Sequence, residues 1–312
     1  MKILIYGAGV QGSFLAHVLS SKKTNEVTIL ARGQRADYLK ENGIVINHYF
    51  QRKTTRDKIR VVTSLEKTDF YDLIFVTMNY TDFPSVLSVL AQNISQNIIL
   101  VGNNLTPQAM HDEIMRQSST KKNIIFGFQS TGGKREENQT ICIRFGKGDM
   151  LLGALDGDIS FKNLIDEAFL PKQYQVKYET KIEDWLKSHA VLVMMMNALT
   201  LIHDSDFEKV TKDTVLLKKS VNAVNEGFSL LEALDYEPLP KSLYKFFKNH
   251  KGLAASFLKF YHRLPLAKVI TGSSNEIFGL FIAFHSFKIG HEANLPNFNE
   301  IESLLLLKKQ TS

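Results

Sequence analysis

Cysteine is nearly absent from this sequence. Cys142 stands alone among 312 residues, which excludes an internal disulfide framework and a cysteine-based metal site. The nine histidines show no metal-ligand spacing such as HExxH, so no metal is expected. Apolar runs are too short to span a bilayer and no signal peptide opens the chain, so a soluble, cytoplasmic protein with no membrane partner is expected. The first residues themselves read as a core strand, which speaks against a cleaved leader. Unbroken runs of one charge are missing too. Lys and Arg number 38 against 32 Asp and Glu, a formal +6, but they are scattered, as in Lys22-Lys23, Lys121-Lys122 and Lys218-Lys219. No basic run suggests a nucleic-acid arm, and the mild basic excess suits small anionic ligands instead. Internal repeats and low-complexity segments are also missing.

What is present begins at once. Lys2-Ile3-Leu4-Ile5-Tyr6 is a short apolar run that reads as a buried parallel strand. Gly7-Ala8-Gly9-Val10-Gln11-Gly12 follows, then a helical pattern over Ser13 to Ser20, and a second strand Val27-Thr28-Ile29-Leu30-Ala31. Strand, GxGxxG, helix and strand within about thirty residues is the context that gives the glycine motif meaning. Gly7 permits the tight turn, Gly9 lets backbone approach a pyrophosphate, and Gly12 lets the helix pack close to the strand. The helix N-terminus, at Val10 and Gln11, offers N–H groups and positive dipole to phosphates. The second strand ends in Arg32 with no carboxylate until Asp37, a pattern that favours NADP(H) over NAD(H). Arg32 would face the 2′-phosphate and Arg35 would assist; otherwise both are solvated surface charges.

At this length two domains are expected, since domains commonly run to about 100–200 residues. From residue 1 to about 155 strands and helices alternate. Strands are expected at Ile44–Ile46, Ile59–Val62, Asp72–Thr77, Ile98–Val101 and Ile124–Phe128, with a hairpin or loop over 47–58. Pro84 opens a helix over Ser85–Gln92, and Thr131-Gly132-Gly133 reads as a turn. Ile141–Phe145 and Met150–Gly153 look like antiparallel strands closing the domain. Such alternation argues a doubly wound sheet with ligands at the carboxyl ends of its strands, near Gly7–Gly12, Arg32, Asn79 and Asn103. After a short helix at Phe161–Phe169 and a strand at Gln175–Tyr178, the patterns are almost all helical. Long helices are expected over Lys181–Leu201, Asp213–Leu234 and Glu276–His291, with a last one through Leu304–Leu307. The domains are placed at 1–180 and 181–312.

The sequence resembles the ketopantoate reductase (2-dehydropantoate 2-reductase) family over nearly its full length. The opening ILIYGAGVQGSFLAHVL and the following VTILARGQRADYLKENGIVI look like that family's cofactor half, including the Ala-Arg-Gly after the second strand. The resemblance implies a Rossmann-type domain and an all-α second domain like that of 6-phosphogluconate dehydrogenases, serving NADPH-dependent reduction of a branched 2-keto acid in pantothenate biosynthesis. Asn103 matches a family asparagine after the strand Ile98–Val101, Glu276 a glutamate in a Thr-Glu-Ile context, and Asn197 the asparagine of Asn-Pro-Leu-Thr. Eight residues before that asparagine the family carries a lysine acting as general acid; here stands His189. A further family asparagine is replaced by Val193, and a lysine after the fourth main strand by Asn79. Ser256 resembles a family serine, in a segment longer than usual before Glu276.

Reduction of a ketone needs a donor for the nascent alkoxide and polar groups to hold the substrate. His189, Val193 and Asn197 are spaced four apart and share a helix face, so His189 is the candidate proton donor, with Asn103, Asn197 and Glu276 orienting substrate. The plainer readings stand beside these. His189 is equally a histidine satisfied inside a helix interface, Asn103 a turn residue, and Glu276 an ordinary first-turn carboxylate. Lys187 lies about 160° round the helix from His189 and reads as a solvated charge. Asn79 and Asn103 are assigned to the cofactor, Met194–Met196 to packing, and the Phe-rich segments near 246–247 and 278–287 to the core or a homodimer face. The expected activity is NADP(H)-dependent reduction of a small 2-oxo acid. A sensor that binds NADP(H) without turnover is the alternative, favoured by the two altered ammonium positions.

Overall fold

The computed structural model describes residues 1–270, 272–291 and 294–311, with side chains through 309. It divides into two compact units, Met1–Gly102 with Thr106–Ile182, and Asn103–Leu105 with Glu183–Ser312.

The first unit is built on an eight-stranded sheet. Its strands are β1 (Lys2–Tyr6), β2 (Glu26–Leu30), β5 (Arg60–Val62), β6 (Leu73–Thr77), β7 (Asn97–Val101), β8 (Asn123–Gln129), β11 (Asp149–Gly153) and β12 (Gln175–Tyr178). They lie in the order β12-β11-β8-β7-β6-β1-β2-β5. The six from β5 to β8 run parallel, with Ile5 of β1 beside both Ile29 of β2 and Phe75 of β6. Residues on both faces of a parallel sheet are covered by helices, which is why β6 reads Leu-Ile-Phe-Val-Thr and is buried throughout. The helices are α1 (Val10–Ser20), α2 (Gly33–Asn42), α3 (Pro84–Gln92), α4 (Pro107–Gln117) and α5 (Lys162–Ala168). Pro84 and Pro107 each start a helix where a missing N–H costs nothing.

A second, four-stranded sheet joins β3 (Ile44–His48), β4 (Lys53–Asp57), β9 (Gly132–Arg135) and β10 (Thr140–Ile143) in the order β4-β3-β10-β9. The polar segment 47–58 is therefore a hairpin turn flanked by strand. Two expectations need correction here. Thr131–Gly133 leads into a strand rather than ending in a turn. Ile141–Phe145 and Met150–Gly153 do not pair with each other. β10 lies parallel to β3 and antiparallel to β9, whereas β11 lies antiparallel to β8. Gly146 and Gly148, both at positive φ, turn the chain between the two sheets, and Phe145 is left outside any strand.

Under α1 the hairpin buries a polar cluster. The Arg144 guanidinium donates to His48 Nδ1 at 3.3 Å, so Nδ1 must accept, and His48 Nε2–H then donates to Thr55 Oγ1 at 2.9 Å. His17, whose ring lies 5.3 Å from that of His48, meets the Asp57 carboxylate at 2.6 Å. Burial first, then the positive groups His17, Arg144 and Lys53, push His48 down to about 4, with Asp57 opposing.

The second unit is helical: α6 (Ile182–Ile202), α7 (Phe207–Lys212), α8 (Thr214–Ala233), α9 (Lys241–Asn249), α10 (Lys251–Arg263), α11 (Ser274–Lys288) and α12 (Pro296–Thr311). α6 is its core element, with Met194 and Met195 fully buried. It is also, among the described residues, the one helix long and apolar enough to cross a membrane, although more than half of that window is buried within the protein. α8 crosses it where Gly227 sits; an added Cβ would lie 2.7 Å from Val191. Helix starts are closed by carboxylates. Asp206 accepts from Glu208 and Lys209 N–H, Asp213 from Leu216 N–H, and Glu226 of α8 accepts from Asn297 and Phe298 N–H at the start of α12.

A depressed histidine means the unfolded chain binds the extra proton first. Stability contributed by neutral His48 is full above pH 6.5 and lost as pH falls through 4. Thermal unfolding followed across that window is expected to show a falling Tm, and His48→Gln is expected to flatten the slope.

Candidate functional site

The glycine loop takes its shape from close packing against β6. Gly7 has φ +118°, and a Cβ there would lie 2.2 Å from the Thr77 carbonyl oxygen. At Gly12 a Cβ would lie 2.0 Å from the Gly7 carbonyl oxygen and 2.5 Å from Thr77 Oγ1. Both positions admit no side chain. Thr77 Oγ1 also donates to the Gly7 carbonyl at 3.2 Å, a tie that sequence reasoning missed, although a strand-ending threonine was in view. Gly9 differs: an added Cβ would meet nothing within 4 Å. It is the N-cap residue of α1 and offers no side-chain cap, so the helix's first N–H groups, Val10 and Gln11 among them, stay available to a ligand. Tight packing on both sides and open backbone in the middle are what a pyrophosphate cradle requires. The residues present fit a dinucleotide.

The two arginines after β2 have different lots. Arg32 is exposed at the N-cap of α2, its Nη2 donating to Tyr6 Oη at 2.9 Å. Arg35 is half-buried and spent internally. It donates to the Ala8 carbonyl, Ser13 Oγ and Thr140 Oγ1, binding the glycine loop to α1 and β10. Burial and the nearby Arg135 lower its pKa. Asn79 is exposed after β6 and heads the short 3-10 turn Tyr80–Asp82.

In the second unit three of the expected residues converge. Asn103, in the segment after β7 that groups with this unit, donates from Nδ2 to Glu276 Oε1 at 3.2 Å. Glu276 is buried in the first turn of α11. Asn103 Oδ1 is buried with no hydrogen-bond partner among the described residues. Asn197 uses both ends of its amide internally: Nδ2 donates to the Val193 carbonyl at 2.8 Å, and Oδ1 accepts from Gly272 N–H at 3.0 Å. It thereby ties α6 to the backbone at Gly272, two residues before α11.

His189 stands eight residues from Asn197, about 12 Å along α6. Its ring stacks on Trp185 with centroids 4.8 Å apart, and burial pushes its pKa down to about 4. An imidazolium, the form the sequence favoured as donor, is therefore not the resting state at neutral pH; a neutral ring donates a hydrogen bond only. Lys187 is the clearer correction. Expected as a solvated charge, it is buried, paired with Glu183, and lies over Tyr236 at 4.3 Å and Phe287 at 5.5 Å. Burial lowers its pKa while Glu183 raises it. Ser256 is exposed on α10 and bonded to the Gly252 carbonyl. Among the described residues no group of three or more acidic, histidine or cysteine side chains could hold a metal.

Residues 3–157 match the family Ketopantoate reductase PanE/ApbA. This part of the chain is a ketopantoate reductase domain. No curated protein sequence matches the chain. Solved structures similar to it over their whole length include D-mandelate dehydrogenase bound to NADH and anilino(oxo)acetate, at 19% identity and TM-score 0.77, covering 100% of this chain and 99% of that one. Another is 2-dehydropantoate 2-reductase from Methylococcus capsulatus, at 15% identity and TM-score 0.70, covering 100% and 98%. A third is a dimeric ketopantoate reductase from Staphylococcus aureus, at 12% identity and TM-score 0.67, covering 100% and 99%. At these identities the likeness establishes a shared fold.

Gly12→Ala tests the cradle. Overpacking of this kind costs about 1–3 kcal/mol, so the variant is expected to melt several degrees lower and to bind nicotinamide dinucleotide at least about tenfold more weakly. Gly9→Ala, with open space around its Cβ, is expected to keep the wild-type Tm while still weakening binding.

Proposed function

We propose that this ketopantoate-reductase-like protein is a cytoplasmic NADP(H)-dependent oxidoreductase that reduces a small 2-oxo acid to the 2-hydroxy acid. The observation that carries the reading is the glycine cradle, closed at Gly7 and Gly12 and open at Gly9. Arg32, exposed where NAD-selective sites place a carboxylate, would pair with the 2′-phosphate; Asn79 would contact the cofactor. NADPH, when bound, supplies the hydride. The chain's own residues hold the substrate. Asn103 Oδ1 would accept a hydroxyl of substrate or ribose, and Glu276, held by the Asn103 amide, would accept the substrate hydroxyl as it forms. Asn197 keeps Glu276 in register. Hydride arriving at carbon would leave an alkoxide on the carbonyl oxygen; His189 would hold that oxygen as a neutral N–H donor, and the proton that completes the hydroxyl would come from solvent water, the hydroxide left behind being neutralised by the bulk.

The second reading is a sensor that binds NADP(H) without turnover. Asn79 and His189 favour it, because the ammonium groups the family places there are absent. Fluorescence titration with NADPH, then NADPH consumption against a panel including ketopantoate and an aromatic 2-oxo acid, separates the two. Binding with turnover of one acid is expected, and Arg32→Ala should weaken NADPH about tenfold while leaving NADH unchanged. Full turnover by His189→Ala would remove His189 from the mechanism. Binding without turnover across the panel would favour the sensor. Absence of binding would overturn both.

We also propose a homodimer. Ile282 on α11 and Ile289 just past its C-terminus both stand exposed, apolar surface that self-association would cover. Light scattering is expected to give twice the chain mass, falling to one on Ile282→Glu; a monomeric wild type would end the proposal.

A further inference from the structure

From Pro238 to Asn275 the sequence holds no Asp or Glu and seven Lys or Arg. This stretch forms α9 and α10. Ala254, Leu258 and His262 turn one side of α10 into the unit's core. On another side Leu253, Phe257 and Phe260, spaced four and three apart, point outward with 63%, 43% and 60% of their surface exposed. Phe246 of α9 meets Phe257 edge-on, 6.2 Å between centroids, and extends the apolar face across both helices. Lys259 and Arg263 lie about 90–130° round α10 from that stripe. Together with Lys245 and Lys268 they form no ion pair among the described residues, whereas Lys241 pairs with Glu237 and Lys248 leans on Tyr244.

We propose that this face of α9 and α10 docks on an anionic phospholipid surface. Three large exposed side chains on one helix are suited to enter the headgroup boundary, and flanking cations with no acid among them suit lipid phosphates and carboxylates. A second copy fits poorly, because it would set seven cations against seven. A protein partner presents N–H donors as well as acids, and this face offers lysine and arginine donors and hydrocarbon in return. The lack of a spanning apolar run in this stretch excludes insertion across the bilayer, not attachment to its surface.

The test is co-sedimentation of the full chain with phosphatidylcholine vesicles, with and without phosphatidylserine. Binding is expected only with phosphatidylserine and is expected to fall as salt rises. Leu253→Ser/Phe260→Ser and Lys245→Glu/Arg263→Glu should each weaken it about tenfold or more while leaving the thermal unfolding of the protein unchanged, as exposed positions allow. No binding to phosphatidylserine vesicles would overturn the proposal. So would binding indifferent to the Leu253→Ser/Phe260→Ser change, which would mean adsorption by charge alone. Equal affinity for polyglutamate would assign the face to an acidic protein, and a dimer dispersed by Leu253→Ser/Phe260→Ser would assign it to a second copy.

Discussion

The contact between the Gly7–Gly12 turn and the end of β6 is the constraint on which the first unit depends. Thr77 approaches Gly7 and Gly12 so closely that neither tolerates a methyl group, and its hydroxyl holds the Gly7 carbonyl. That contact fixes where α1 begins, and so where its unpaired N–H groups point. Arg35 reinforces the same loop from the other side through the Ala8 carbonyl, and reaches β10 through Thr140. The glycine loop is thus pre-formed by packing, so a ligand bound there would meet a low ordering cost.

The second unit solves a different problem, the burial of charge within a helical core. Lys187 is fully enclosed, and its ammonium is compensated by Glu183 on the same helix and by two aromatic faces. Lys288 is handled alike, paired with Glu302 and lying over Phe298 at 5.5 Å. Removing one partner of such a pair would strand the other, which typically costs about 3–5 kcal/mol. The polar cluster of Asn103, Asn197 and Glu276 follows a related rule with one exception. Asn103 donates to Glu276 and Asn197 is bonded at both ends of its amide, while Asn103 Oδ1 is buried with no partner among the described residues.

The parallel sheet and the glycine loop were legible in the sequence because their signals are local: apolar runs of fixed length, punctuated by glycines whose spacing has one physical use. The partnering of Ile141–Phe145 and Met150–Gly153 was not, since alternation shows that a residue lies in a strand and leaves its neighbour open. Lys187 reads as solvated in the sequence because nothing local marks the Tyr236 and Phe287 that enclose it. Asn197 was recognised by resemblance, yet its work on Gly272 depends on a backbone seventy-five residues away. His189 shared a face with Asn197 as the spacing required, but its depressed pKa comes from surroundings that spacing does not describe.

Asn103, Asn104 and Leu105 group with the helical unit although the residues on either side, Gly102 and Thr106, group with the sheet. The chain therefore passes between the two units three times rather than once. No single cut can separate them into whole parts. A protease cleaving between Ile182 and Glu183 would leave the helical fragment without the asparagine that holds Glu276, and the sheet fragment would carry that asparagine with nothing to hold. Genes assembled by exchanging one half for a relative's would inherit the same mismatch unless this tripeptide travelled with the helices.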